Sequence, residues 1–260
     1  RFSANLSRSL GTWLGGQISG QRRPPERMYV TLVRGCQAAK PLAERVAQTL
    51  EAEFCPTTLL TDHDEPAATA GNEPAQWEGR TLRKLADAVR NRNRVVLDIG
   101  SRRATLSLLT RQEQVWWVVD GAAGIDPHTL HQIEALLGQA PQLAGRMRLV
   151  WAIPAGERLP DLPKVALDIQ PPLRILYTGD QHHPQFRPHD LSRLAHAMRG
   201  IQVGLALGGG GARGLAHLGV LEVCAEAGLY FDRLAGTSAG AIIAVGHAAG
   251  IPLDDIRTFF

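Results

Sequence analysis

The chain has 260 residues, 44% of them hydrophobic and 20% charged, which supports one large or two ordinary domains and excludes wholesale disorder. The formal charge is only +3, with Lys at just three positions (Lys40, Lys84, Lys164) and no long basic run, which argues against nucleic acid as a partner. Its 3 cysteines, Cys36, Cys55 and Cys224, lack CxxC spacing and read as free thiols of a reducing compartment rather than a disulfide framework.

Residues 1–27 are polar and close on Arg22-Arg23-Pro24-Pro25, the composition of a tail or linker from an upstream domain. From Met28 the pattern changes. Strands are expected at Met28–Val33, Thr57–Leu60, Arg94–Ile99, Gln114–Val119 and Arg148–Ile153, with helices at Pro41–Phe54, Leu82–Val89 and Pro127–Leu137. This alternation predicts a Rossmann-like parallel α/β module over 28–180. The loop after its first strand has one glycine and no phosphate-binding pattern, so the module is assigned a structural or regulatory part. Asp120-Gly121 ends a strand and reads as a turn rather than a catalytic carboxylate.

Residues 154–190 are rich in Pro and His, with a short strand expected at Arg174–Tyr177. His182, His183 and His189 share no ligand spacing with Cys or Glu, so no metal or other cofactor is expected. A linker helix is placed in 181–200, over Pro188–Arg199, capped by Asp190 or Ser192.

The chemistry concentrates in 201–260. Ile201–Leu207 reads as a strand running into four glycines, Gly208–Gly211, then Ala212, Arg213, Gly214 and a helix over Leu215–Ala227. Such a loop exposes backbone N–H groups, and the helix adds its own unpaired N–H groups and positive dipole end, which together make an anion cradle. Gly209–Gly214 also satisfies G-x-G-x-x-G, with Asp232 about 20 residues on, so a nucleotide-binding regulatory module remains the alternative. A second motif follows. Arg233–Ala235 reads as a strand leading to Gly236-Thr237-Ser238-Ala239-Gly240 and a helix over Ala241–Ala249, a G-x-S-x-G nucleophile elbow in strand–turn–helix context. The dinucleotide reading leaves this motif without a role. The pair of motifs supports nucleophilic catalysis by Ser238 beside an anion cradle.

Arg213 reads equally as an orienting cation or an exposed cap, His217 as a core histidine, and Asp232 as a turn or cap. Leu234–Ile251 is nearly free of charge, and a membrane-anchored fragment built on it is a third reading. Its glycines, Thr237, Ser238 and His247 favour a buried helix entered through a tight turn.

Gly208–Gly214 with Gly236–Gly240 resembles the patatin-like phospholipase family. Arg187–Ala195 is similar to the segment before the catalytic domain in the family's neuropathy target esterase branch. The resemblance implies the first part of a patatin-like α/β/α domain over 201–260, truncated at Phe260. It implies a phospholipid or lysophospholipid substrate, with Ser238 as nucleophile and an oxyanion hole from the backbone of Gly209, Gly210, Gly211 and Ala212 in the loop that Arg213 and Gly214 complete. It implies an elbow of Gly236, Thr237, Ala239 and Gly240, and a cyclic-nucleotide-binding domain further upstream, with residues 1–20 as its tail. The family uses a Ser/Asp dyad whose Asp lies in a D-G-[GA] motif downstream of the Ser. No such motif follows Ser238, so these residues by themselves are expected to lack turnover. The expected location is cytoplasmic or peripheral on the cytoplasmic face of a membrane, the membrane surface being a further partner.

Overall fold

The computed structural model describes residues 29–54, 56–62, 73–91, 94–101, 104–110, 112–156 and 169–259. The tail expected over 1–27 and the thiol of Cys55 lie outside the described residues. The chain divides into two compact units whose described parts are 29–198 and 199–259.

The first unit is a parallel α/β sheet. Its elements are β1 (Tyr29–Arg34), α1 (Ala39–Glu53), β2 (Thr57–Thr61), α2 (Glu73–Arg90), β3 (Arg94–Gly100), α3 (Leu106–Leu109), β4 (Gln114–Asp120) and α4 (Pro127–Gln139). A 3₁₀ turn at Pro141–Arg146, β5 (Met147–Pro154), β6 (Gln170–Thr178), β7 (Gln185–Phe186) and α5 (Pro188–Arg199) complete it. The strand order is β2-β3-β1-β4-β5-β6-β7. Every pair is parallel except β6–β7.

Side chains alternate across a strand, so the near-continuous apolar runs of β1, β3, β4 and β5 predict burial on both faces. Val30, Leu32, Val96, Trp116, Val118 and Val150 pack with α1 and α5 on one face. Val33, Leu97, Ile99, Trp117, Val119 and Trp151 pack with α3, α4 and the 3₁₀ turn on the other. Neighbouring Trp116 and Trp117 thus anchor opposite layers, and both are at most 1% exposed. The Trp116 indole N–H donates to Gln114 Oε1 at 2.9 Å, and the Arg148 guanidinium lies over its ring.

Two expectations change. Pro188–Arg199 forms the expected helix, but Leu191, Leu194, Ala195 and Met198 are buried in the core of the sheet unit, so it is a layer of the module rather than a linker. The Asp190 carboxylate accepts from the Leu176 N–H of β6 at 3.1 Å and from Arg193 at 3.0 Å, tying the helix to the sheet. The short strand expected at Arg174–Tyr177 extends over nine residues.

The second unit contains β8 (Gly204–Leu207), a 3₁₀ turn (Gly211–Leu215), α6 (Ala216–Glu226), β9 (Arg233–Gly236), α7 (Ala239–Ala248) and α8 (Leu253–Arg257). β8 and β9 pair in parallel, in register from Gly204–Arg233 to Leu207–Gly236. Leu207, Leu218, Leu221, Ile243, Ala244 and Ile256 form its core. The Asp232 carboxylate accepts from the Val203 N–H at 2.6 Å while the Asp232 N–H donates to Val203 O at 2.8 Å, which fastens the start of the strand pair.

Candidate active site

The last residue of β8, Leu207, delivers the chain into the glycine loop. Gly210 at φ +149° and Gly211 at φ +57° turn the backbone through a region that L side chains rarely adopt. The turn closes through the Arg213 N–H on Gly210 O at 3.2 Å, and α6 begins five residues after Gly211. The N–H groups of Gly209 and Gly210 meet no acceptor among the described residues. Arg213 is exposed and makes no ion pair among the described residues, whereas Gly214 is buried against α7, where a Cβ would come within 2.6 Å of Ala239 Cβ.

β9 delivers the chain into the second turn. The Thr237 N–H donates to Leu207 O at 3.0 Å, locking this turn to the end of β8. Ser238 follows at φ 53° and ψ −124°, and it has the only positive φ among the described non-glycine residues. It occupies the N-cap position of α7, where a serine normally accepts from the first turn of the helix. Its hydroxyl makes no such bond, and the side chain is exposed. A non-glycine residue held in such a conformation costs about 1–3 kcal/mol and persists only where its surroundings enforce it.

The surroundings that enforce it are glycines. A Cβ on Gly236 would collide with Gly240 O, and one on Gly240 would collide with Leu207 O and lie 2.5 Å from Gly208 O. A Cβ on Gly209 would sit 3.3 Å from both Ser238 Cβ and Thr237 O. The two motifs expected from the sequence therefore meet: the glycine loop lies directly against the elbow. Ala239 and Gly240 are buried beneath it.

His217, expected as a core residue, is half-buried, and its Nε2 lies 2.9 Å from Gly208 O. A carbonyl only accepts, so Nε2 carries the hydrogen in this bond. The spacing from Gly208 carries no motif, which is why sequence reasoning missed the contact. Asp232 is committed to Val203 and takes the structural role expected of it. Asp254 pairs with Arg257 on α8 at 2.8 Å. The uncharged stretch Leu234–Ile251 resolves into β9 and the ten-residue α7, and no helix among the described residues is long and apolar enough to cross a membrane.

The sheet unit has a cleft of about 1140 Å³ at the carboxyl ends of its strands, lined by Arg34, Lys40, Asp62, Ser101, Asp120 and Asp126 among others. Its carboxylates hold the structure together. Asp62 pairs with Arg34 and accepts the Gly100 N–H at 2.8 Å. Asp98, buried beneath, pairs with Arg34 at 3.2 Å. Asp120 accepts the Ala122 and Ala123 N–H groups and the Gln181 amide, as a turn residue does. Asp126 caps α4 through the Thr129 N–H, and the Thr129 hydroxyl together with that N–H holds its carboxyl below the ordinary range. Burial pushes the Cys36 thiol up to about 11, so it stays protonated and unreactive.

Comparison with known proteins centres on the second unit, where the family match lies. Residues 205–260 match the model of the patatin-like phospholipase family. The chain is 45% identical over 74 residues to an uncharacterised NTE family protein of Mycobacterium tuberculosis, covering 28% of this chain and 12% of that protein. It is 43% identical over 81 residues to lysophospholipase nte1 of Neurospora crassa (28% of this chain, 5% of that protein). It is 45% identical over 87 residues to patatin-like phospholipase domain-containing protein 7 of Rattus norvegicus (34% of this chain, 6% of that protein). The matched stretch is thus a small part of each relative. By these matches the segment 205–260 is similar to the patatin-like phospholipase family, and the chain is similar in part to NTE-named proteins.

Proposed function

We propose that residues 201–260 are the nucleophile-bearing part of a serine lipid acyl hydrolase, acting on the carboxylic esters of phospholipids or lysophospholipids. One observation carries the reading: Ser238 is strained at φ 53° with its hydroxyl unused, directly beside a loop whose Gly209 and Gly210 N–H groups are unmatched. A serine serving only the helix would cap it. The names of the fungal and rat relatives, a lysophospholipase and a phospholipase-domain protein, supply the lipid ester as substrate class.

In this reading Ser238 Oγ attacks the ester carbonyl as an aspartate takes its proton. The C–O π pair moves onto the oxygen, and N–H groups of Gly209–Gly211 and Ala212 stabilise the resulting oxyanion; removing one such donor typically costs about 3–4 kcal/mol of transition-state stabilisation. Collapse breaks the bond to the leaving alcohol, which departs with the proton, and water then hydrolyses the acyl-serine. Nothing from Ser238 to Phe260 matches the D-G-[GA] motif that the family resemblance implies for this aspartate, so the reading assigns the base to no residue of that span. The 29–198 unit takes a structural or regulatory part, and the site works at a membrane surface.

The test is fluorophosphonate labelling of a protein that continues past Phe260 into such a motif. Labelling abolished by Ser238→Ala establishes the nucleophile. A folded protein that does not label returns the glycine loop to anion or nucleotide binding and ends the esterase reading.

A further inference from the structure

We infer that His217 is a positioning residue of this site: its ring holds the Gly208–Gly209 peptide in the one orientation that presents the Gly209 N–H as an oxyanion donor. The inference rests on the esterase reading and adds a residue outside both motifs. His217 stands in the first turn of α6 and reaches back nine residues to Gly208 O, at 2.9 Å, so it closes the glycine loop from its far end.

The argument is one of peptide geometry. The Gly208 carbonyl and the Gly209 N–H belong to the same planar unit and point in opposite directions across it. Fixing the carbonyl on His217 therefore fixes the N–H on the opposite edge. That N–H has no acceptor among the described residues, and the backbone of Gly209 lies against Ser238. Without a tether this unit is free to turn over, because neither flanking residue has a Cβ to resist rotation of φ and ψ. A flip would swap a donor for a carbonyl dipole facing a developing negative charge.

The Gly208 carbonyl lies against Gly240, whose missing Cβ leaves it room, and among the described residues His217 is its one hydrogen-bond partner. The imidazole donation also polarises the peptide, which strengthens its N–H as a donor. Nδ1 has no partner among the described residues. A ring nitrogen that bears hydrogen can donate to a carbonyl, which is the role Nε2 takes here.

The experiment compares the rate constant for fluorophosphonate labelling in the parent sequence, His217→Ala, His217→Leu and His217→Gln, with Ser238→Ala as the blank. All are made in a protein that continues past Phe260. The Gln amide nitrogen reaches about as far as Nε2 and can donate, whereas Ala and Leu cannot. The expected result is a fall of roughly 10-fold or more for Ala and Leu, a fraction of the 10²–10³ of a deleted donor, with Gln within about threefold of the parent. The carbonyl carbon of Gly208, isotope-labelled, should shift in Ala and Leu and return in Gln. Equal labelling in all four folded proteins, with Ser238→Ala silent, overturns the positioning role and leaves the esterase reading standing. A fall in Gln equal to that in Ala and Leu also overturns it, by assigning His217 to packing. Labelling that persists in Ser238→Ala removes the esterase reading and this inference with it.

Discussion

The two units obey opposite rules. In the sheet unit the central strands are sealed on both faces, Val30, Val33, Val96, Trp117 and Val150 are fully buried, and Arg34, Asp62, Asp120 and Asp126 of its cleft are tied to backbone or to one another. The 199–259 unit has two paired strands of four residues each, and α7 exposes Ile242 at 55% and Val245 at 70%. Yet it holds the strained serine, the unmatched N–H groups and the glycines that admit no side chain. Departures from local rules mark where chemistry is placed, and compliance marks where stability is made.

The comparison is broken most directly at Gly240. Substituting Ala places a methyl against Leu207 O and Gly208 O, backbone atoms that cannot turn aside. Labelling of Ser238 should fall by at least about 100-fold, the scale of a lost oxyanion donor, with the sheet unit untouched. Trp117→Ala is the mirror experiment. It should remove about 3–5 kcal/mol from the sheet unit. Of the five tryptophans only Trp13 lies outside the sheet unit, so in a Trp13→Phe background tryptophan fluorescence in urea reports this unit, and labelling measured below the transition should stay at the parent rate.

A smaller effect is expected from pH. Burial, opposed by Arg34 and Lys40 and aided by Glu44, pushes the Asp98 carboxyl up to about 6. The folded sheet thus holds this proton more tightly than the unfolded chain, where the carboxyl titrates near about 3.9. The contribution is full below the unfolded value and is lost as pH rises through about 6. The urea midpoint of the parent should carry a downward component between these values that Asp98→Asn lacks. A difference of opposite sign would show that the Arg34 pair outweighs desolvation. Least of all should follow from Ile242→Lys with Val245→Lys, within about 0.5 kcal/mol of the parent in this chain, because both residues already face solvent. A larger loss would show that this face is covered.

The strands of the sheet unit were legible because apolar runs such as Val95–Leu97 and Val115–Val119 admit few other readings. β6 was legible only in part, since Pro171, Pro172 and Arg174 break its pattern; its pairing with β5 supplies what the local sequence withholds. The amphipathic pattern of Pro188–Arg199 was visible, but the surface it docks on is made by residues more than 140 positions earlier, such as Leu42 and Leu50. Both glycine motifs were legible because steric exclusion writes glycine at fixed spacings. Their mutual contact and the reach of His217 are tertiary facts, and no spacing encodes them.

The backbone at Ser238 also limits which nucleophiles this scaffold accepts. A φ of 53° tolerates a single substituent on Cβ and excludes a branched one. Cysteine therefore fits the elbow and threonine does not. The scaffold is open to conversion into a thiol hydrolase and closed to the threonine alternative, by a restriction written in the torsion angle before any substrate is bound.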